Sequence, residues 1–234
     1  MYINRVGAGG LSGLKAIELD AASTSSESTG ATLTWSHTVG SKTNRILIVG
    51  VAAHRSGAQC ACSGVTYNGT AMVKATSKQE SIWGEYIETS VWILHNPPSG
   101  AHDIVASITN YARTGGIACS YAGAQQSSTA DAVASYSVDG QTGSRTFTHT
   151  TIANNSWVFE IVMHGNEDSA PDITLASGFT SRGTLYFGEY PYWRFRAGDY
   201  GPKTPAGNVT CGATIGGTQP YCSAMASASF APKT

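Results

Sequence analysis

Apolar and polar residues alternate along this chain with a period of two or gather into short apolar runs, and no segment sustains an apolar stripe at helical spacing. The pattern predicts strands throughout. In Ala31-Thr-Leu-Thr-Trp-Ser-His-Thr-Val39, the residues Ala31, Leu33, Trp35, His37 and Val39 share one face and the Thr and Ser residues share the other, so the strand should have a buried face and a wet one. Residues 46–53 are apolar on both faces, and residues 157–163 mostly so; both should be central strands covered on two sides. Asn68-Gly69 between two short alternating arms predicts a tight hairpin, because both central positions of a type I′ turn need positive φ. A longer hairpin is expected where residues 86–94 and 103–109 flank Asn96-Pro97-Pro98-Ser-Gly100, since the prolines cannot donate to a ladder. Residues 117–122 and 145–152 supply further strands, with the polar residues 125–143 between them as a long loop. At the C-terminus, residues 207–215 and 221–230 flank Gly216-Gly217-Thr-Gln-Pro220. A two-residue turn there would set Cys211 opposite Cys222 but would place Pro220 where a ladder wants a donor, so a longer loop is favoured.

One pattern repeats. Thr34-Trp-Ser-His37-Thr precedes Asn44 and an apolar run ending near His54; Thr146-Phe-Thr-His149-Thr precedes Asn155 and a run ending near His164. The spacings are 112, 111 and 110 residues. They fit two equivalent strand pairs, although ordinary β composition can mimic such an echo. With no compositional boundary at the midpoint, one sandwich is favoured over two domains. The expected fold is all-β: an antiparallel β-sandwich, jelly-roll or immunoglobulin-like, over residues 16–234, behind a glycine-rich N-terminal arm of residues 1–15.

Composition narrows the partners. The 234 residues are 41% hydrophobic and only 12% charged, with 14 Lys and Arg against 15 Asp and Glu. A net charge of −1 supplies no field for nucleic acid or an anionic membrane, and no apolar run approaches the roughly 20 residues that span a bilayer. The start of the chain lacks the apolar core of a signal peptide, so synthesis in a host cytoplasm is expected. A weakly charged surface tends to associate, which suits a subunit among neighbours.

Several segments in order, Leu33-Thr-Trp-Ser-His-Thr-Val-Gly, Asn44-Arg-Ile-Leu-Ile-Val-Gly-Val, Val65-Thr-Tyr-Asn-Gly-Thr-Ala-Met, Val91-Trp-Ile-Leu-His-Asn-Pro-Pro-Ser-Gly-Ala-His and Ala224-Met-Ala-Ser-Ala-Ser-Phe-Ala-Pro232, resemble a β-sandwich module that recurs in tailed-phage structural proteins and bacterial surface proteins. The resemblance covers nearly all of the chain after the arm. It implies a fold and carries over no catalytic residue.

Candidate chemistry is sparse. His37 lies on an apolar face and reads as a satisfied core histidine. Glu160 and His164 share a strand face but stand roughly 13 Å apart, too far to form a dyad. The oxygens of His164-Gly-Asn166-Glu167-Asp168 and Asp172 lack the spacing of a calcium loop and read as a solvated turn. Five cysteines, Cys60, Cys62, Cys119, Cys211 and Cys222, read as reduced and buried; Cys60-Ala-Cys62 has no second pair with which to hold zinc. Nucleophile-elbow, zincin, phosphate-loop and dinucleotide motifs are absent from the sequence. No cofactor and no enzyme activity are expected.

Residues 186–200 hold seven of the chain's 22 aromatics. Subunit contact, packing over the chain's own sandwich and stacking on sugar rings are the three readings, the first favoured. The expected partner-binding residues are therefore Tyr2, Ile3 and Arg5 of the arm, with Tyr190, Tyr192, Trp193, Arg194 and Phe195. The expected function is a virion structural protein of a tailed phage, a capsid decoration or head-fibre subunit bound to copies of itself and to a major capsid or tail protein. The alternative is a carbohydrate-binding module using Trp193, Tyr190 and Tyr192 on surface glycans.

Overall fold

A computed structural model describes residues 16–110, 113–127, 129–140, 143–166, 172–188, 192–217 and 220–234. The arm expected at residues 1–15, with Tyr2, Ile3 and Arg5, lies outside them, as does Tyr190. Among the described residues, all regular structure is strand. The first half contains β1 (Glu18–Thr24), β2 (Thr32–Val39), β3 (Ile46–Ser56), β4 (Ala61–Tyr67), the two-residue β5 (Thr70–Ala71), β6 (Val73–Ile82), β7 (Glu85–His95), β8 (Gly100–Thr109) and β9 (Arg113–Ala122). The second contains β10 (Ala132–Asp139), β11 (Gly143–Thr150), β12 (Ser156–Asn166), β13 (Ile173–Leu175), β14 (Thr180–Phe187), β15 (Tyr192–Lys203), β16 (Asn208–Ile215) and β17 (Pro220–Phe230).

The two halves repeat one topology. The first forms a sheet β1-β9-β3-β7-β6 facing a sheet β2-β8-β4-β5; the second forms β10-β17-β12-β15-β14 facing β11-β16-β13. Leaving aside β5, each half is eight successive strands in the order 1-8-3-6-5 over 2-7-4. This is a jelly roll with its fifth strand added beside the sixth. All pairs are antiparallel. The register repeats as well: Gly50 sits between Val91 and Ile117, and Ile161, 111 residues on, sits between Ala197 and Ala226.

The five-stranded sheets pack face to face, giving four layers. Leu33, Trp35, Leu47, Val49 and Ile104 fill the first outer gap. Ile48, Phe159, Ile161, Trp193 and Phe195 fill the central gap, and Val158, Val162, Val209 and Met225 fill the last. β1 packs on β14 and β6 on β10, while β3 crosses β12. Exchanging the halves maps the first contact onto the second and the third onto itself, so a pseudo-twofold axis passes near the crossing of β3 and β12. Four layers also explain the two runs that are apolar on both faces: β3 and β12 are each central in a sheet covered on both sides.

Where the chain switches sheets, local pattern misleads. β7 and β8 do not form the expected hairpin, because β7 pairs with β3 and β6 while β8 lies in the facing sheet between β2 and β4. The Asn96–Gly100 turn is a crossing between layers. The same correction applies to β16 and β17, which lie in different sheets; Cys211 stands opposite Phe147, and Cys222 opposite Asp139. The loop expected over residues 125–143 contains β10, an edge strand whose serines hid its alternation. By contrast, the Asn68-Gly69 hairpin forms as expected, with φ of 49° and 74° at its two central residues. β2 alternates exposed and buried along its whole length.

Candidate functional site

Three of the histidines are built into the layers. His37 on β2 reaches across the sandwich to Ser23 on β1, Nδ1 to Oγ 2.8 Å, and the same hydroxyl accepts from Trp35 Nε1. His149 on β11, the equivalent position, sets Nδ1 2.8 Å from Ser227 Oγ on β17. His164 on β12 pairs with Ser223 at 2.7 Å. Burial lowers all three imidazoles to about 4, outweighing the opposing pull of Asp20 on His37 and of Asp131 on His149 and reinforced at His164 by Arg145, so they are neutral cross-links at neutral pH. The expectation of a core His37 holds. Of the echoed pairs, His37/His149 and Asn44/Asn155 are equivalent, both asparagines having positive φ. His54 and His164 are not: His54 faces the central gap and stacks on Trp193, whereas His164 faces the outer layer.

The densest cluster of reactive types surrounds Glu160. It stands directly opposite Ser227, accepts the Gly212 N–H on Oε2 at 2.7 Å, and lies against the Cys211 thiol. A carboxyl, thiol, hydroxyl and imidazole thus converge, but all are sealed from solvent. Burial raises Glu160 to about 8, so it is a neutral acid at pH 7, and it pushes the Cys211 thiol upward, away from the reactive thiolate. Glu88 plays a similar part in the first half, accepting the N–H of Cys62 at the β4 bulge, with Lys74 Nζ 3.6 Å away. Each carboxyl satisfies a buried backbone donor, Glu88 at the β4 bulge and Glu160 at Gly212, whose φ is 105°. None of these groups can meet a substrate without opening a sandwich.

His54 Nε2 contacts Glu85 Oε2 at 2.6 Å, and Ser56 donates to Glu85 Oε1 at 2.9 Å. The serine is bound to the carboxylate and not to the imidazole, so the nucleophile-to-base hydrogen bond of a catalytic triad is missing. Among the described residues no group of three or more His, Cys, Asp or Glu side chains is placed to hold a metal. Asp172, at the edge of the expected turn, is an exposed partner of Arg194.

The aromatic segment is mostly interior. Trp193, Phe195 and Ala197 form the inward face of β15, and Trp193 is 0% exposed. Trp193 and Phe195 therefore cannot present a surface to a partner or a sugar, which corrects the expectation for both. The alternation Trp-Arg-Phe-Arg-Ala was the signature of a strand with one face in the core. Arg194 is committed to Asp172 and lies over the Tyr186 ring, 4.1 Å from its centroid; Arg196 binds Thr184 and the Ile173 carbonyl. Tyr192 is half-buried.

Tyr186 is half exposed, and a more exposed aromatic lies elsewhere. His54, Trp193, Tyr221 and Trp83 form a ladder, with centroids 4.5, 5.8 and 5.4 Å apart, that runs from the central gap to the surface. Trp83 ends it at 73% exposure. It occupies the first central position of the β6–β7 turn at φ 50°, followed by Gly84 at 81°. A type I′ turn favours Asn there, so a bulky residue at positive φ is a strained choice. Sequence reasoning missed Trp83 by reading aromatic density; the signal was Trp-Gly between two alternating arms. Scans against protein-family models, curated proteins and solved structures find no match to this chain.

Proposed function

We propose that this protein is a non-enzymatic structural subunit of a tailed-phage virion, a capsid decoration or head-fibre protein that acts by association with copies of itself and with a major capsid or tail protein. The observation that carries association is Trp83: a strained, exposed indole, edge-on to Tyr221, stands where Asn would relieve the backbone. Tryptophan is among the residues that most often dominate binding energy at protein contacts. The sealed histidines, acids and thiols support a non-catalytic role, and the segments quoted above supply the likeness to phage modules. Trp83→Asn tests the reading. The variant should fold with equal or higher stability and lose its place in assembled particles; unchanged particle occupancy would reject Trp83 as the contact. A sugar platform built on Tyr190, Tyr192 and Trp193 has no support, because Trp193 is buried and Tyr190 lies outside the described residues.

A further inference from the structure

Among the described residues five large apolar side chains are exposed, and three of them, Val73, Trp83 and Val133, lie along one flank, where β6 runs beside β10 at the edges of the two inner sheets. Such clustering marks a contact surface. The two strands run in the same direction: Val73 and Val133 share a groove at one end, and a Cβ on Gly140 would lie 3.9 Å from Ile82 at the other, next to Trp83. The groove holds about 290 Å³ between Val73, Ala75, Ile93, Ala130, Ala132 and Val133. Two charged residues also line it. Lys74 Nζ donates to the Cys62 carbonyl, and Asp131 accepts from the Ile152 N–H and the Ser156 hydroxyl. Both charges are engaged within the fold, so what remains is an apolar wall with room for one indole.

A knob at one end of a flank and a hole at the other fit each other under a twofold axis through the middle. A second copy laid antiparallel across the flank sets each Trp83 in the other's groove, so that the two contacts are identical. With Trp83 over Ala75 the axis falls at Gln79, and Lys78 of each copy comes opposite Glu80 of the other, so the charges along β6 attract. On β10 the exposed residue near the axis is Ser135, small enough for close approach. The bulge between Lys74 and Thr76 twists the β6 edge, which disfavours pairing by strand addition and leaves the contact to side chains. A flank roughly 30 Å long and two layers, about 20 Å, wide covers about 600 Å² on each copy. The two copies together reach the ~1,200 Å² at which specific interfaces begin.

We infer that the β6/β10 flank is the face of a twofold homodimer in which the Trp83 indole of each copy fills the groove of the other. The inference rests on reading Trp83 as a contact residue and names what it contacts, a second copy of this chain. Two measurements on the full chain test it: sedimentation equilibrium of the parent and of Trp83→Asn and Val133→Asp variants with matching thermal midpoints, and photo-crosslinking from p-benzoylphenylalanine substituted for Thr129 at the groove rim. The parent should be a dimer, and each variant should weaken dimerisation by about thirtyfold or more, as loss of a hot-spot contact does. The cross-link should join position 129 to the peptide that carries Trp83 in another copy. A monomeric parent, growth past the dimer into open chains, dimerisation unmoved by either variant, or cross-linking to residues 1–15 in place of the Trp83 peptide would overturn the inference. A Trp83→Asn protein that is lost from particles yet stays dimeric would overturn the twofold pairing and leave the particle contact standing. One that turns monomeric yet keeps full particle occupancy would do the reverse.

Discussion

Gly50 and Ile161 occupy equivalent positions in the two halves and meet each other where the inner sheets cross: a Cβ on Gly50 would lie 2.4 Å from Ile161 Cγ2. Residues near a twofold axis contact their own equivalents, so two bulky side chains there would collide. The chain resolves this by asymmetry, with glycine on β3 and isoleucine on β12.

Gly50→Ala should therefore destabilise by about 1–3 kcal/mol through overpacking, although alanine is ordinarily as good a strand residue as glycine or better. Ile161→Ala, which removes the clashing methyl and leaves a void, should cost about 2–5 kcal/mol alone. The double variant should cost clearly less than the sum, because each change relieves the other. Urea unfolding of the four proteins measures this; additivity would place the clash elsewhere.

The serine that serves the equivalent histidines changes strand between the halves. Ser23 on β1 stands opposite Ala118 on β9, while Ala134 on β10 stands opposite Ser227 on β17. Ser227→Ala should cost about 1–3 kcal/mol by orphaning the buried His149 Nδ1. Adding Ala134→Ser, which copies the arrangement of the first half, should recover part of that loss. Denaturation midpoints of the single and double variants decide it; no recovery would mean that the two cross-strand places are not interchangeable.

Stability should peak near pH 6.5. His37, His149 and His164 have folded values of about 4, below the unfolded 6.5. Between these values the unfolded chain binds more protons, so their stabilising effect is complete above 6.5 and is lost as pH falls toward 4. Glu160 has the opposite sense: its folded value of about 8 exceeds the unfolded 4.5, so the native state binds the extra proton and stability falls as pH rises from 4.5 to 8. Above 6.5 only Glu160 among these four still binds protons differently in the two states. Glu160→Gln should make the alkaline limb shallower, Glu88 being raised by burial as well, and leave the acid limb intact, as read from urea midpoints across pH 4–9.

All five cysteines are buried, and burial raises Cys60, Cys62 and Cys119 to about 12, with Cys211 and Cys222 higher still. The native protein at pH 8 should leave a thiol reagent such as 5,5′-dithiobis(2-nitrobenzoate) almost unconsumed, and all five should react in denaturant. A fast-reacting native thiol would contradict the sealed layers.

The sequence by itself determined what is local: the strands over residues 31–39, 46–53, 117–122, 145–152 and 157–163, the Asn68-Gly69 turn, the wet face of β2, the two inner strands with apolar faces on both sides, and the His37/His149 echo. These follow from side-chain alternation and from turn positions that demand positive φ, and each needs only neighbouring residues. Tertiary structure alone decided which sheet each strand joins, and therefore that β7 and β8, or β16 and β17, part company at their turns. A period of two says that a face is covered but not by what, and a jelly roll sends successive strands to opposite layers. The same limit misplaced the aromatics. Trp193 and Phe195 were legible as one face of a strand, yet whether that face met solvent or a second sheet depended on how residues more than a hundred positions earlier came to lie across it, at the crossing where Gly50 makes room for Ile161.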